Sequence, residues 1–113
     1  MVRKMAPVLK PGRFAFRTAD EAPDDAIATF LEDEGLSVLV PASASEQAFR
    51  QITLQVHSAL DGVGLTAAVA TALTAEKIPA NVVAAHHHDH VFVPEALAAR
   101  ALATLQNLAQ KEG

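Results

Sequence analysis

The sequence predicts a single α+β domain, a two-layer ferredoxin-like sandwich in which an antiparallel sheet carries its helices on one face. Composition and periodicity both point to this fold class. Of the 113 residues, 50% are apolar and 19% are charged, a balance typical of a chain that folds around its own core. From residue 52 onward, the apolar positions follow the periods of strand, helix, strand, strand and helix, in that order. This order is a βαββαβ unit without its last strand.

The five elements of this unit are predicted from their spacing. Residues 52–57 alternate strictly between apolar and polar, which is the period of a strand with one buried face. The helix that follows has an apolar stripe made of Leu65, Ala68, Val69, Ala72 and Leu73. Residues 81–85 and 91–93 are predicted strands, and Pro94 is expected to be the first residue of the last helix. The stripe of that helix is made of Leu97, Ala101, Leu105 and Leu108.

The N-terminal segment, residues 1–45, is predicted to add to the sheet of the unit formed by residues 46–113. Residues 14–17 are a predicted strand, and residues 24–34 are a predicted helix that is ended by the glycine after them. Residues 36–40 are another predicted strand. One of these two strands is expected to fill the place of the missing last strand, so that the chain forms one compact domain.

Composition excludes several classes of function. The net charge is −4, and the basic residues are not interleaved with aromatic ones as in nucleic-acid binders. Since cysteine is absent, disulfides, thiolate catalysis and thiolate metal sites are impossible. No apolar run has the length of a membrane span, and no apolar stretch follows the basic start as in a secretory signal. We expect a cytoplasmic protein with no nucleic-acid and no membrane partner.

Two long stretches resemble a known family. Residues 52–69, with the sequence ITLQVHSALDGVGLTAAV, are similar to the opening strand and helix of a small group of bacterial ACT-domain proteins. That group's second signature is similar to NVVAA at residues 81–85 followed by HHDHVFVP at residues 87–94. Residues 11–16 and 34–36 also match, so that the resemblance covers nearly the whole chain. The chain is more distantly similar to the ACT repeats of aspartate kinases.

This resemblance implies a regulatory domain that binds an amino acid or a similar small metabolite and needs no cofactor. In such domains the site lies where the loop after the first strand, here residues 58–66, meets a neighbouring ACT unit. In the kinase-type repeats the second and third strands, here residues 85–90, also line the site. Relatives often carry tyrosine at the position of His86, so a contact from a phenol is not expected here. The candidate ligand-binding residues are Ser58, Asp61, Gly62, Val63, Gly64, Leu65, Thr66, His86, His87 and His88.

The chemistry of the loop suits a carboxylate. Gly62 and Gly64 permit positive φ and a close approach of the backbone to a ligand. Free amides at a helix N-terminus, aided by the helix dipole, favour an anion. We therefore expect a ligand carboxylate at the amides of residues 64–66, with additional hydroxyl donors from Ser58 and Thr66. The alternative is that the glycines only make the turn.

The turn at residues 86–90 is the most unusual composition in the chain, with four histidines and Asp89. His86, His88 and His90 would share one face of a strand. Three interpretations stay open: the turn lines a ligand site or a subunit interface, it is a hydrogen-bonded hairpin turn, or it is a metal site. Neutral imidazoles suit zinc, nickel or copper, and His86, His88 and His90 are the candidate ligands of that third interpretation.

Catalysis is not expected. His57, Ser58 and Asp61 suggest a catalytic triad, but neighbouring residues on a strand point to opposite faces, so His57 and Ser58 are poorly placed to share a proton. We expect a non-enzyme that forms a homodimer, because a sheet with one uncovered face commonly pairs with a copy of itself. The rivals are a metal-dependent enzyme or metal sensor built on the histidine turn, and a purely structural partner domain.

Overall fold

The computed structural model describes residues 5–55 and 64–111. The helices are α1 (Leu65–Ala75) and α2 (Ala98–Lys111), and a short 3₁₀ helix (Glu95–Leu97) precedes α2. The strands are β1 (Pro7–Leu9), β2 (Phe14–Ala19), β3 (Ala28–Glu32), β4 (Gly35–Pro41), β5 (Phe49–Leu54), β6 (Asn81–Ala84) and β7 (Asp89–Pro94).

These strands form one antiparallel sheet in the order β3-β4-β2-β5-β7-β6, with β1 also beside β5. The central strand is β5. It pairs with β7 on one side, and on the other side with β1 and with the first residue of β2. Ile52 therefore has Val91 as its partner on one side and Leu9 on the other. Together with the two helices, this arrangement fits the expected α+β ferredoxin-like class.

The strand that fills the vacant place in the sheet is β1, which the apolar pattern did not predict. Residues 14–17 and 36–40 were expected there, and both do form strands, but neither runs along β5. Only Phe14 of β2 pairs with β5, opposite Phe49, and β4 lies one strand further out. The cause is a bend at Gly12, where φ is +102°, so that the chain follows β5 as β1 and then leaves it as β2.

The helix predicted for residues 24–34 is wrong, because this segment contains the strand β3. It forms a hairpin with β4, in which Glu32 pairs with Gly35 across the turn. The glycine that was interpreted as the end of a helix is the glycine of this turn, with φ +140°. A glycine of positive φ is common both at the end of a helix and in a hairpin turn, so the glycine alone does not distinguish a helix from a hairpin.

The main core lies between the sheet and the two helices. Its buried residues are Met5, Ile52, Leu54, Leu65, Val69, Leu73, Ile78, Val91, Val93, Ala98, Ala101 and Leu105. The predicted stripes of both helices are confirmed, since they supply five of the six helical residues of this core, and Ala68, Leu97 and Leu108 pack against it. Pro94, however, ends β7 and precedes the 3₁₀ helix, so it does not begin α2.

Within residues 5–55 and 64–111, no helix is long and apolar enough to cross a membrane.

On the opposite face of the sheet, the described residues form no helix, and this face carries an aromatic cluster. Phe14, Leu39 and Phe92 are buried there, with Phe49 packed against them. The rings meet edge to face: the centroids of Phe14 and Phe92 are 6.4 Å apart, at an interplanar angle of 89°. We call this side the open face. Its rings join β2 to β5 and β7, and Leu39 of β4 packs among them.

Candidate functional site

The start of α1 and the histidine turn lie at the same end of the sheet. β5 and β6 are parallel, because each runs antiparallel to β7 between them. Their last residues, Leu54 and Ala84, both pair with Asp89. A helix that connects two parallel strands has to return along the sheet, so α1 begins at the end where both strands finish. We call this the α1 end, formed by residues 64–66 and 85–88.

At the α1 end, the helix begins without a side-chain cap. Gly64 is the N-cap residue with φ +103°, a conformation that side chains rarely adopt, and the space where its Cβ would lie is open. The first helical hydrogen bond runs from the Ala68 N–H to the Gly64 carbonyl, at 2.8 Å. The amides before Ala68 have no acceptor within the helix. The first turn also holds no acidic residue, so no carboxylate of the helix itself reduces its positive potential.

The histidine turn is a tight connection between β6 and β7. The Ala85 N–H donates to the His88 carbonyl at 3.0 Å, which closes the turn. His86 and His87 are exposed and His88 is half-buried. The rings of His86 and His87 meet edge to face, with centroids 4.8 Å apart. The turn therefore presents imidazoles to solvent at the same end of the sheet as the start of α1.

The expectation that His86, His88 and His90 share one face of a strand is wrong, because the strand begins only at Asp89. His86 and His88 lie in the turn, whereas His90 points to the open face from within β7. The ring centroids of His88 and His90 are 6.4 Å apart. In the described part of the chain, no group of three histidine or acidic side chains could hold a metal ion.

His90 is instead part of a polar network with β5. The Thr53 Oγ1 lies 3.0 Å from the His90 Nδ1, and the Gln51 Nε2 lies 3.1 Å from the same ring atom. The Gln51 Nε2 also donates to the Thr53 Oγ1 at 3.2 Å. An amide nitrogen only donates, so this orientation of the Gln51 amide assigns the acceptor role to Nδ1 and the ring proton of neutral His90 to Nε2. The sequence signal for this network was the alternation of apolar and polar residues in β5. It indicated a polar side of the strand but did not predict that His90 would bind there.

The environment of His90 lowers its pKa. Burial is the largest cause, because it disfavours the charged imidazolium. The neighbouring side chains of His88 and Lys10 also lower the pKa of His90, whereas Asp89 raises it. His90 is therefore held neutral further into the acidic range than a free histidine.

Part of the predicted site lies outside the described residues: Ser58, Asp61, Gly62 and Val63, together with His57 of the suggested triad. Of the remaining candidates, Leu65 is buried in the main core and anchors the start of α1. Thr66 is exposed on the first turn of the helix. The structure thus brings Gly64 and Thr66 to the same end of the sheet as the histidine turn.

Comparison with known proteins identifies the family. A model of the ACT domain matches residues 46–107, which is more than half of the chain. A second ACT-domain model matches residues 1–53, so the two matches overlap in β5. The chain belongs to the ACT domain family. ACT domains are regulatory domains that bind small molecules and are generally non-catalytic.

Two solved structures are similar to this chain over most of its length. One is a Vibrio cholerae protein of unknown function, a possible transport protein, with 42% identity and a TM-score of 0.81. The match covers 92% of this chain and 90% of that chain. The other is an Agobacterium tumefaciens protein with 20% identity and a TM-score of 0.70. This match covers 91% of this chain and 87% of that chain, and it supports the fold alone. No curated protein matches this chain.

Proposed function

We propose that this chain is a non-catalytic regulatory domain that binds an amino acid or a similar small metabolite at the α1 end of its sheet. Its membership of the ACT domain family supports small-molecule binding in general. The observation that carries the choice of site is the start of α1, which has no side-chain cap from Gly64 and no acidic residue in its first turn, at the same end of the sheet as the histidine turn. No observation favours the metal-dependent alternative. The cytoplasmic location and the division into segments 1–45 and 46–113 stay predictions.

In this proposal the ligand's carboxylate accepts hydrogen bonds from the amides at the start of α1. Glycine at position 64 lets the chain enter the helix at positive φ and leaves open space beside the backbone. The helix dipole adds a favourable interaction with an anion of about 0.3–1 kcal/mol at an exposed site. Thr66 offers a hydroxyl on the same turn of the helix.

The histidine turn supplies the other side of the site. A neutral imidazole has one nitrogen that accepts a hydrogen bond and one that donates, so His86 and His87 can meet either the ammonium group or a polar side chain of an amino acid. Both are exposed at the α1 end. We assign the carboxylate to the helix and the variable part of the ligand to the turn.

The first experiment is a thermal-unfolding screen against the amino acids and common metabolites, followed by circular dichroism because the chain has neither Trp nor Tyr. A ligand at 100 times its dissociation constant stabilises the fold by about 2.7 kcal/mol. For a domain of this size, that is a rise in melting temperature of roughly 4 °C or more. We expect one class of amino acid to produce this shift and its carboxamide derivative to produce none.

The site is tested by Thr66→Glu, with Thr71→Glu on the same helix as the matched control. Both threonines are exposed, but only position 66 lies in the first turn. A glutamate there interacts favourably with the helix dipole, so the free protein should be at least as stable as the wild type. It also repels a ligand carboxylate, so the ligand-induced shift should disappear in Thr66→Glu and persist in Thr71→Glu.

Three results would overturn the proposal. An unchanged ligand shift in Thr66→Glu would mean that the carboxylate binds elsewhere. No shift with any metabolite would favour the purely structural partner domain, and a shift that requires zinc and disappears with chelator would favour the metal alternative.

A further inference from the structure

The outer strand β3 is exposed along its whole length. It lies at one end of the strand order and pairs only with β4 within the described residues. All five of its residues are exposed, and the most exposed large apolar side chains are on it: Phe30 at 74% and Leu31 at 79%. Ile27, just before the strand, is also exposed. Apolar side chains on an open edge indicate a surface that another chain covers.

The side chains of residues 28–31 in β3 do not protect this edge. Natural edge strands avoid unwanted pairing by carrying lysine, proline, a bulge or an inward-pointing charge. Residues 28–31 are Ala, Thr, Phe and Leu, without charge or proline. Phe30 pairs with Ser37 and Leu31 with Leu36, so the two exposed side chains lie on opposite faces of the hairpin. A strand added at this edge would contact one apolar residue on each face.

The charges around this edge are of one sign. Asp24 and Asp25 precede β3, and Glu32, Asp33 and Glu34 end it and form the turn. Residues 18–49 contain no lysine or arginine. The surface is therefore complementary to a segment that is apolar in the middle and basic at both ends.

These charges disfavour a second copy of this chain as the occupant. An antiparallel pair of β3 strands centred on Phe30 would bring Asp25 of each copy close to Glu34 of the other. A parallel pair would place each acidic residue beside its own counterpart. Both arrangements place like charges together across the new ladder, which is destabilising.

We infer that the outer edge of β3 is a docking site for an extended, basic segment of a partner protein, which binds by adding a strand to the sheet. Backbone hydrogen bonds along the edge supply affinity that is independent of side chains. Phe30 and Leu31 select apolar residues in the middle of the segment, and the acidic residues at both ends of β3 select lysine or arginine at its ends. A regulatory domain has to contact the protein that it regulates, and β3 provides a surface for this contact. The inference does not depend on the ligand site at the α1 end.

The test uses the full chain, labelled with ¹⁵N, and the synthetic peptide Arg-Lys-Val-Thr-Val-Thr-Val-Lys-Arg as the probe. We expect chemical-shift changes concentrated at the backbone amides of β3 and slower hydrogen exchange of those amides. Affinity should fall as salt rises, because exposed charges are screened. The control peptide is N-methylated at alternate central residues, so that it keeps its charge but lacks the donors of one edge. It should bind about tenfold more weakly or not at all.

The variant Phe30→Thr, Leu31→Thr removes the two apolar contacts but keeps a residue that favours strands at both positions. It should weaken peptide binding by about tenfold, as expected for the loss of central apolar contacts. Val83→Thr, on the other edge strand, is the matched control and should leave the affinity unchanged.

Several results would overturn the inference. Shifts located on β6, or equal binding of the N-methylated peptide, would exclude strand addition at β3. A change of oligomeric state in Phe30→Thr, Leu31→Thr without peptide would identify a second copy as the occupant. The acidic residues only prevent aggregation if the wild type does not bind the peptide and a variant with Asn and Gln at these positions self-associates through β3.

Discussion

On the open face of the sheet, His90 is fixed by Thr53 and Gln51 of the neighbouring strand. The Gln51 amide nitrogen cannot accept a hydrogen bond, so a proton on Nδ1 would face a donor 3.1 Å away. Burial and the nearby positive charges of His88 and Lys10 lower the pKa of His90. Its neighbour Asp89 is buried on the other side of the strand. Adjacent residues of β7 thus have different environments because a strand alternates its faces.

This environment predicts a pH dependence of stability. The unfolded chain takes up a proton on this histidine near the ordinary pKa of about 6.5, whereas folded His90 stays neutral to a lower pH. Between the two pKa values the unfolded state binds more protons, so the free energy of unfolding decreases as the pH falls. We expect His90→Gln to reduce the loss of stability between about pH 7.5 and about pH 5.5, as measured by urea unfolding.

The control for this prediction is Ser45→Gln, which places the same residue at an exposed loop position and removes no titratable group. It should lose stability with falling pH as the wild type does. If His90→Gln keeps the full pH dependence of the wild type, another group causes the decrease.

Among the elements, the β3–β4 hairpin depends most visibly on one residue. Glu32 and Gly35 pair across a turn made of Asp33 and Glu34, and Gly35 has φ +140°. A Cβ at this position would lie 3.1 Å from the Thr18 Cγ2 of β2. The glycine therefore permits both the turn and the close approach of β2 to β4. The hairpin in turn presents the exposed apolar edge of β3.

We expect Gly35→Ala to lower the free energy of unfolding by about 1–3 kcal/mol, because alanine at this φ is strained. Urea unfolding measures the loss. The control Ser45→Ala, at an exposed loop position, should change stability by no more than about 0.5 kcal/mol. Equal stabilities of Gly35→Ala and the wild type would show that the turn can relax to a negative φ.

At the scale of the whole molecule, the helices cover one face of the sheet and leave the other open. One row of the open face crosses four strands in register: Val8, Thr53, His90 and Val83. Thr53 is buried, whereas Val8 and Val83 at the two ends of the row are 42% and 37% exposed. Since ACT domains often dimerise, we propose that this row lies in a homodimer interface.

We therefore expect light scattering to give the mass of two chains for the wild type at micromolar concentration. The variant Val8→Lys, Val83→Lys should be monomeric, because a two-fold interface brings the new charges of both copies together. The control Leu31→Lys, an exposed residue of β3, should stay dimeric. A monomeric wild type, or a double variant that still dimerises, would exclude this interface.

Much of the fold was predictable because its signals are local. The stripes of α1 and α2 depend on residues three and four apart, and the alternation in β5 depends on residues two apart. Each pattern identifies its element without knowledge of the rest of the chain. The family resemblance was confirmed, and the start of α1 was predicted correctly at Leu65.

Other features required contacts between distant parts of the chain. Ile27, Phe30 and Leu31 have helical spacing, but pairing with β4 makes this segment a strand. Residues 7–9 are too few to show a period, and only their pairing with Ile52–Leu54 makes them the missing strand. In the candidate site, the sequence indicated Gly64, Thr66 and the histidine turn as separate segments.

The sequence by itself determined the two helices, most of the strands and the family, because these follow from short-range periodicity and from matching residues. Only the tertiary structure decided that β1 completes the sheet and that β3 forms an exposed edge. It also placed the start of α1 and the histidine turn at one end of the sheet. His90 contacts Thr53 on the open face and is separated from His86, which lies in the turn. Each of these depends on strand order and register, which bring together residues far apart in the chain.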